Sequence, residues 1–186
     1  QDDTAVCRAL TLWQSQIGAL VSGVTAGTDL MRREPGLWQG LMTDWPMGSY
    51  ADALCRTATR MRRRHGRALE LGSGDGNSTL RLLEQFGDQL TWSDKDPALV
   101  HRGRRRFGGR GIVLDFDRIH LLDAESHYDN IFATNALHCA ADLPSTLVAL
   151  REILAPRGQL VIAEGFPVLA DGSPWALDIF FQAFEG

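Results

Sequence analysis

From residue 67 onward, short apolar runs alternate with segments in which apolar residues recur every three or four positions. The run from Ala68 to Leu71 is typical of a buried strand, and the spacing of Leu80, Leu83 and Phe86 is typical of an amphipathic helix over 77–86. The same pattern predicts further strands at 90–93, 111–114, 131–134 and 159–163, and further helices at 97–106, 143–154 and 175–184. Asp96 is the predicted N-terminal cap of the helix at 97–106, with Pro97 in its first turn. Such alternation predicts an α/β fold, a parallel sheet covered by helices on both faces.

Residues 1–66 show no alternation of strands and helices. Apolar residues near the start, including Leu10, Trp13 and Ile17, recur at helical spacing, and Ser49 is a candidate cap for a helix ending near residue 64. We therefore predict a helical N-terminal appendage at 1–66 and an α/β core at 67–186. The chain begins with Gln1 rather than Met, which predicts a piece of a longer protein.

Composition excludes several classes of protein. The 186 residues carry a net charge of −4, so we expect no nucleic-acid partner. No apolar run approaches the roughly 20 residues of a membrane span, so we expect no membrane association. Three widely spaced cysteines, Cys7, Cys55 and Cys139, fit no metal-binding pattern and suit a reducing compartment, which predicts a cytoplasmic protein without a metal site.

The segment Glu70-Leu71-Gly72-Ser73-Gly74-Asp75-Gly76 follows a predicted strand and opens a predicted helix. Glycines there allow tight turns and close approach of a ligand to the backbone, and free N–H groups at the helix start suit a polar or anionic ligand. Asp94, at the end of the next strand, stands where a ribose-binding carboxylate belongs. Asn77 occupies the position at which a dinucleotide-binding fingerprint needs its third glycine, so a different nucleotide-like cofactor is predicted.

The E-x-G-x-G-x-G spacing resembles motif I of the class I S-adenosylmethionine (SAM) dependent methyltransferases. The resemblance implies a Rossmann-like, doubly wound sheet with SAM as the cofactor. It places the glycine loop at the methionine end of SAM and Asp94 at the ribose hydroxyls. It further implies that Asp115 accepts the exocyclic amine of adenine and that Phe116 packs on the ring. The cofactor-binding residues that it implies are Glu70, Gly72, Gly74, Gly76, Asp94, Asp115, Phe116 and Asn135.

A more specific resemblance begins at Asn135-Ala136-Leu137-His138. This run is similar to the fourth motif of methyltransferase domains embedded in polyketide synthases, and the likeness extends over about 67–186. It implies a catalytic dyad of His138 and Glu164, which follow the fourth and fifth strands. It also implies an acyl chain on a carrier protein as substrate and neighbouring synthase domains as partners. Residues 1–66 are loosely like the helical lid of that family.

The dyad is chemically reasonable, because histidine titrates near neutral pH and a carboxylate orients the ring and stabilises its charged form. The acceptor favoured by the resemblance is the α-carbon of a β-ketoacyl thioester. Methylation of a β-hydroxyl or enol oxygen, a stand-alone methyltransferase and a non-catalytic structural or docking domain remain alternatives.

Two features depart from the family pattern. Pro156-Arg157-Gly158 replaces the usual Pro-Gly-Gly, and Arg157 fits that turn only if its backbone does not need a positive φ. The class I fold also has two more strands after the fifth, which we do not find in the sequence.

Overall fold

Five strands form one sheet in the order β3-β2-β1-β4-β5. They are β1 (Ala68–Leu71), β2 (Leu90–Asp94), β3 (Arg110–Val113), β4 (Tyr128–Thr134) and β5 (Leu154–Ala163). Every neighbouring pair is parallel. The predicted parallel sheet is therefore confirmed, although β4 and β5 begin earlier than the apolar runs at 131 and 159.

The computed structural model describes residues 5–24, 36–37, 40, 43, 47–60, 66–122 and 127–164. The chain divides into two compact units, one of residues 1–49 with 165–186 and one of Tyr50–Glu164. The sheet and the predicted site residues all lie in the second unit. The predicted division at residue 66 and the lid role of 1–66 remain predictions, and the predicted helix at 175–184 lies outside the described residues.

The helices are α1 (Ala5–Val21), α2 (Met47–Thr59), α3 (Asn77–Phe86), α4 (Pro97–Arg106) and α5 (Leu143–Ile153). At the start of α4 the Asp96 carboxylate accepts a hydrogen bond of 2.8 Å from the Ala98 N–H, and Pro97 occupies the first turn. This is the cap that the sequence predicts. None of the helices in the described segments is long and apolar enough to cross a membrane.

Alternate residues of the central strands enter two hydrophobic clusters, as the period of two in a strand requires. Leu69 and Ile131 belong to one cluster. Ala68 and Phe132 belong to the other, together with Leu54 of α2. Both β1 and β2 are buried along their whole length, which explains their mostly apolar or weakly polar residues. Glu70 and Asp94 are the charged residue types among them.

Order reverses at β1, which has β2 on one side and β4 on the other. The chain continues from β1 toward β2 and from β4 toward β5, on opposite sides of this point. In open α/β sheets, ligands bind outside the carboxyl ends of the strands at such a reversal. Both the glycine loop after β1 and the segment containing His138 after β4 begin there.

The turn inside β5 differs from the expectation for Arg157. The register of β5 against β4 shifts between Tyr128 and Asn130. Within this irregularity Arg157 has φ 65°, in the left-handed region that favours glycine. The condition that its backbone avoid positive φ is therefore wrong, and the arginine occupies a conformation suited to the glycine of the family pattern.

We predict that Arg157→Gly stabilises the domain by up to about 1 kcal/mol, because glycine has no β-carbon to strain at positive φ. Gly158→Ala should act in the opposite direction, since its added β-carbon would lie 2.9 Å from the Ala155 carbonyl oxygen and 3.0 Å from that of Tyr128. Denaturant unfolding of both variants tests the pair. A loss of stability in Arg157→Gly would contradict the assignment of strain.

Candidate active site

The glycine loop after β1 depends on three residues with positive φ. Gly72, Gly74 and Gly76 have φ of 63°, 53° and 83°. A β-carbon at Gly72 would also lie 2.7 Å from the β-carbon of Ala136, so the loops after β1 and β4 are in close contact here. A β-carbon at Gly74 would meet nothing within 4 Å, which leaves open space beside the loop. The loop therefore has the exposed backbone that a cofactor cradle requires.

Asp94 fixes the loop to the end of β2. Its Oδ2 accepts a hydrogen bond of 2.9 Å from the Gly74 N–H, and its Oδ1 accepts one of 2.9 Å from the Asp96 N–H. The Ser73 N–H donates to the Ser93 carbonyl at 2.8 Å and adds a second tie. Each carboxylate oxygen retains a lone pair, so Asp94 can still accept from a ribose hydroxyl. That contact remains a prediction.

Glu70 is a buried acid directly below the glycine loop. Its side chain is 2% exposed, and its Oε2 has no hydrogen-bond partner. Burial raises its pKa to about 8; the nearby Thr79 hydroxyl acts against that rise and the Asp94 carboxylate adds to it. Although the Thr79 hydroxyl lies close enough to influence the carboxyl, it makes no hydrogen bond. Buried polar groups are nearly always paired, so an unpaired carboxyl oxygen here is consistent with the predicted ligand site. Binding of the cofactor by Glu70 remains a prediction.

The two residues predicted to bind adenine differ in exposure. Asp115 caps the 3₁₀ helix Phe116–Leu121, because its carboxylate accepts a hydrogen bond of 3.1 Å from the Asp117 N–H. Its side chain is 40% exposed, and the Arg118 guanidinium is 3.9 Å away. Phe116 is buried in the same cluster as Ala136. Their contacts with adenine stay predictions.

Glu164 accepts three hydrogen bonds from the segment after β4. Its Oε1 accepts from the Ala136 N–H at 2.9 Å and from the Leu137 N–H at 2.7 Å. Its Oε2 lies 2.9 Å from Nδ1 of His138. The structure thus brings together the two residues that the resemblance pairs, and it leaves Nε2 of His138 outside this interaction. An imidazole whose Nδ1–H is held by a carboxylate presents Nε2 as its proton acceptor.

The pair is strongly charged in its resting form. The Cys139 side chain and the Glu164 carboxylate raise the pKa of His138 to about 10, against the opposing effect of burial. Although burial raises the pKa of Glu164, the hydrogen bonds from His138 and Ala136 hold it below its usual value. At neutral pH the ion pair is therefore the dominant form, and the neutral imidazole is a minor one.

Asn135 connects β4 to the segment that contains His138. Its φ is 49°, and its N–H donates to the Ala163 carbonyl at 2.7 Å. Asparagine tolerates the left-handed conformation better than most residues, so its backbone geometry gives one reason for asparagine at this position. Direct binding of the cofactor by Asn135 remains a prediction.

Asp117 is a residue that the motifs did not single out. Its carboxylate accepts from the Ala141 N–H at 3.1 and 3.2 Å and from the Thr146 hydroxyl at 3.0 Å. It thereby joins the 3₁₀ helix after β3 to α5 and to the segment that follows His138. Little in the sequence indicated this role, because the hydrogen-bond partners of Asp117 are 24 and 29 residues away along the chain.

Known methyltransferases are similar to this chain in sequence and in fold. Residues 69–160 match the methyltransferase domain family. In fold, the citrinin polyketide synthase CMeT domain is similar with a TM-score of 0.71 and 22% identity, over 85% of this chain and 47% of that one. Residues 69–160 of this chain therefore belong to a methyltransferase domain, and the sheet has the class I methyltransferase fold.

Two curated synthases resemble the methyltransferase domain in sequence. Non-reducing polyketide synthase mapC of Penicillium roqueforti is 30% identical over 139 residues, which cover 66% of this chain and 5% of the synthase. Reducing polyketide synthase ppsB of Aspergillus oryzae is 30% identical over 128 residues, which cover 63% and 5%. The chain thus matches a small part of each of these relatives.

A second solved structure extends the similarity in fold. The trans-methyltransferase CalH, solved in complex with SAH, has a TM-score of 0.66 and 22% identity, over 87% of this chain and 49% of that one.

In the described part of the methyltransferase domain, no group of His, Cys, Asp and Glu side chains could hold a metal ion.

We predict that Glu164→Gln lowers the pKa of His138 by on the order of 1 unit or more, because the amide oxygen can still accept from the backbone but no longer carries charge. The His138 ring resonances, followed by NMR against pH, measure this shift. Glu152→Gln, on the exposed side of α5, is the matched control. An unchanged His138 titration in Glu164→Gln would contradict the ion pair.

Linkage gives the sign of the matching stability change. The raised pKa of His138 contributes stability that is fully present below its ordinary value of 6.5 and is lost as pH rises toward 10. Glu164→Gln should therefore lose most stability relative to the wild type below pH 6.5, and the gap should narrow in alkali.

We predict that Asp117→Ala destabilises the methyltransferase domain by about 1–2 kcal/mol, because the buried Thr146 hydroxyl and the Ala141 N–H lose their acceptor. Chemical denaturation measures the loss. Asp88→Ala, in the exposed 3₁₀ helix Gly87–Gln89, removes the same group where the structure assigns it no such contact. Equal stability of the two variants would disprove the tie.

Proposed function

We propose that this chain is a SAM-dependent methyltransferase domain of a modular polyketide synthase, acting on an acyl intermediate held by a carrier protein. The favoured acceptor is the α-carbon of a β-ketoacyl thioester. The observation that carries the proposal is the interaction of Glu164 with His138, which holds an imidazole at the carboxyl edge of the sheet with Nε2 unengaged by Glu164. The backbone hydrogen bonds of Glu164 would serve a structural domain as well, but the imidazole beside them adds a group that can take a proton.

The residues present fit SAM as the cofactor. The open space at Gly74 and the lone pairs of Asp94 suit its methionine end and its ribose, and the orphaned oxygen of Glu70 suits its positive charge. Asp115 has an exposed carboxylate toward which the adenine amine could be directed. When bound there, SAM supplies a methyl group on a sulfonium, and the thioether leaves without charge.

His138 would act on the acceptor. In its neutral form, Nε2 takes the proton from the α-carbon of the β-ketoacyl chain, whose negative charge spreads over two carbonyl groups. Glu164 stays ionised throughout, keeps the proton of Nδ1 in place and stabilises the imidazolium that forms. Holding the acceptor beside the base contributes a further part of the acceleration.

The raised pKa of His138 gives this mechanism a definite pH dependence. Only the neutral imidazole can take a proton, so activity limited by this step rises with pH through the neutral range. The small fraction of neutral imidazole is offset by its greater strength as a base, because proton transfer to an imidazole of raised pKa is more favourable.

The partner and the acceptor atom are supported by the relatives. Those with matching sequence are named as polyketide synthases, and one neighbour in fold is named as a CMeT domain. Methylation of an enol or β-hydroxyl oxygen would use the same dyad on a different atom. The assay below therefore includes a β-hydroxyacyl chain and uses fragmentation to locate the methyl group on the β-ketoacyl chain.

We predict that the protein, incubated with SAM and carrier-protein-bound acyl mimics, adds one methyl group to a β-ketoacyl chain and none to a β-hydroxyacyl chain. His138→Gln should lower the rate by about 10²–10⁴-fold, the usual contribution of a general base. His101→Asn, on the exposed side of α4, is the matched control and should keep the wild-type rate. Mass spectrometry of the carrier-bound product reads the outcome.

Three results would contradict parts of the proposal. Methylation of the hydroxyl alone would assign an oxygen acceptor. Transfer at the wild-type rate in His138→Gln would remove the dyad from catalysis. Binding of SAM without transfer to either acceptor would favour a non-catalytic domain.

A further inference from the structure

Three buried polar atoms in and beside the glycine loop have no hydrogen-bond partner. They are Oε2 of Glu70, Oγ of Ser73 and Oγ1 of Thr79, which lie on β1, in the loop and on α3. Glu70 is 2% exposed and Thr79 is fully buried. Buried polar groups in folded proteins are nearly always paired, and an unpaired carboxyl is the most costly of them. The described protein atoms therefore provide no hydrogen-bond partner for these three atoms.

The charges around Glu70 do not supply that partner either. Asp94, on β2, faces it with like charge. Cys55, on α2, is neutral, because burial raises the pKa of its thiol to about 11. Arg81, on α3, pairs with Asp52 through Nη2 at 2.8 Å, and its buried Nη1 has no hydrogen-bond partner. The described groups that shift the pKa of Glu70 include no cation, and burial keeps its carboxyl largely protonated near neutral pH.

We propose that Glu70 makes this site selective for the positive charge of the cofactor, by losing its proton when SAM binds and keeping it when the demethylated product binds. This inference rests on the proposed function, because it takes SAM as the ligand of the glycine loop. The O–H bond of the Glu70 carboxyl breaks, the proton passes to the solvent, and the carboxylate remains in the site as the counter-charge of the sulfonium.

The reason is electrostatic. SAM and S-adenosylhomocysteine (SAH) share the amino acid and nucleoside groups, and they differ by the methyl group on sulfur and the positive charge that this group gives to the sulfur. In a buried site of low polarity, a cation strongly favours the ionised form of a nearby carboxyl. SAH lacks that charge, so Glu70 returns to its neutral form after the reaction, and the favourable interaction that held the substrate is lost from the product complex.

Calorimetry tests this coupling directly. SAM and SAH are titrated into the protein at pH 7 in phosphate and in Tris, whose ionisation enthalpies differ, so that the heat reports the protons released. We expect SAM to release most of one proton and SAH less than half as much. The affinity for SAM should rise by up to about tenfold between pH 6.5 and 7.5, as linkage to one proton requires.

Glu70→Gln should bind SAM more weakly, without proton release and without this pH dependence. Glu84→Gln, on the exposed side of α3, is the matched control and should behave as the wild type. If Glu70→Gln does not fold, NMR of the wild type labelled with ¹³C at the glutamate carboxyls gives the same answer. One resonance should titrate near pH 8 in the free protein, and the pKa that it reports should fall below 6 with SAM bound.

The outcomes separate the two proposals. Failure of the wild type to bind SAM would overturn the proposed function and this inference together. SAM binding with no proton release, or with equal release for SAM and SAH, would overturn this inference and leave the proposed function in place.

Discussion

Parallel pairing of β1 with β4 is the constraint on which the rest of the site depends. The strands are in register from Ala68 opposite Asn130 to Leu71 opposite Ala133. Both strands end at the same edge of the sheet, so the glycine loop and the segment ending in His138 lie close together there. A β-carbon at Gly72 would clash with Ala136. A shift of one residue would turn every inward side chain of β1 to the opposite face and separate the two loops.

Two carboxylates then fix the loops on either side of this junction. Asp94 holds the glycine loop through the Gly74 N–H, and Glu164 holds the segment after β4 through the N–H groups of Ala136 and Leu137. Both satisfy backbone groups that would otherwise lack partners, so the groups assigned to chemistry also support the local fold. Glu70 is different, because its Oε2 satisfies nothing. A folded chain tolerates such a group where a ligand can complete it.

Much of this could be predicted from local signals. Glycines at 72, 74 and 76, the Asp96 cap before Pro97 and the apolar runs of β1 and β2 depend on short stretches of chain, and the structure agrees with them. The first residues of β4 and β5 could not be located in the same way. Residues before 131 and 159 join the sheet through backbone pairing around a bulge, which imposes no hydrophobic pattern. Arg157, with its positive φ, lies in this irregular part of β5.

By itself, the sequence determined the α/β class, the strand that precedes each loop and the residue types available at the site, because periodicity, capping and glycine placement are local properties. Only the tertiary structure decided which of those residues meet. It placed Glu164 against His138 across 26 residues and Asp117 against Ala141 across 24, and it buried Glu70 without a partner. Contact, burial and pKa depend on what packs around a side chain, and that depends on the order and register of the strands.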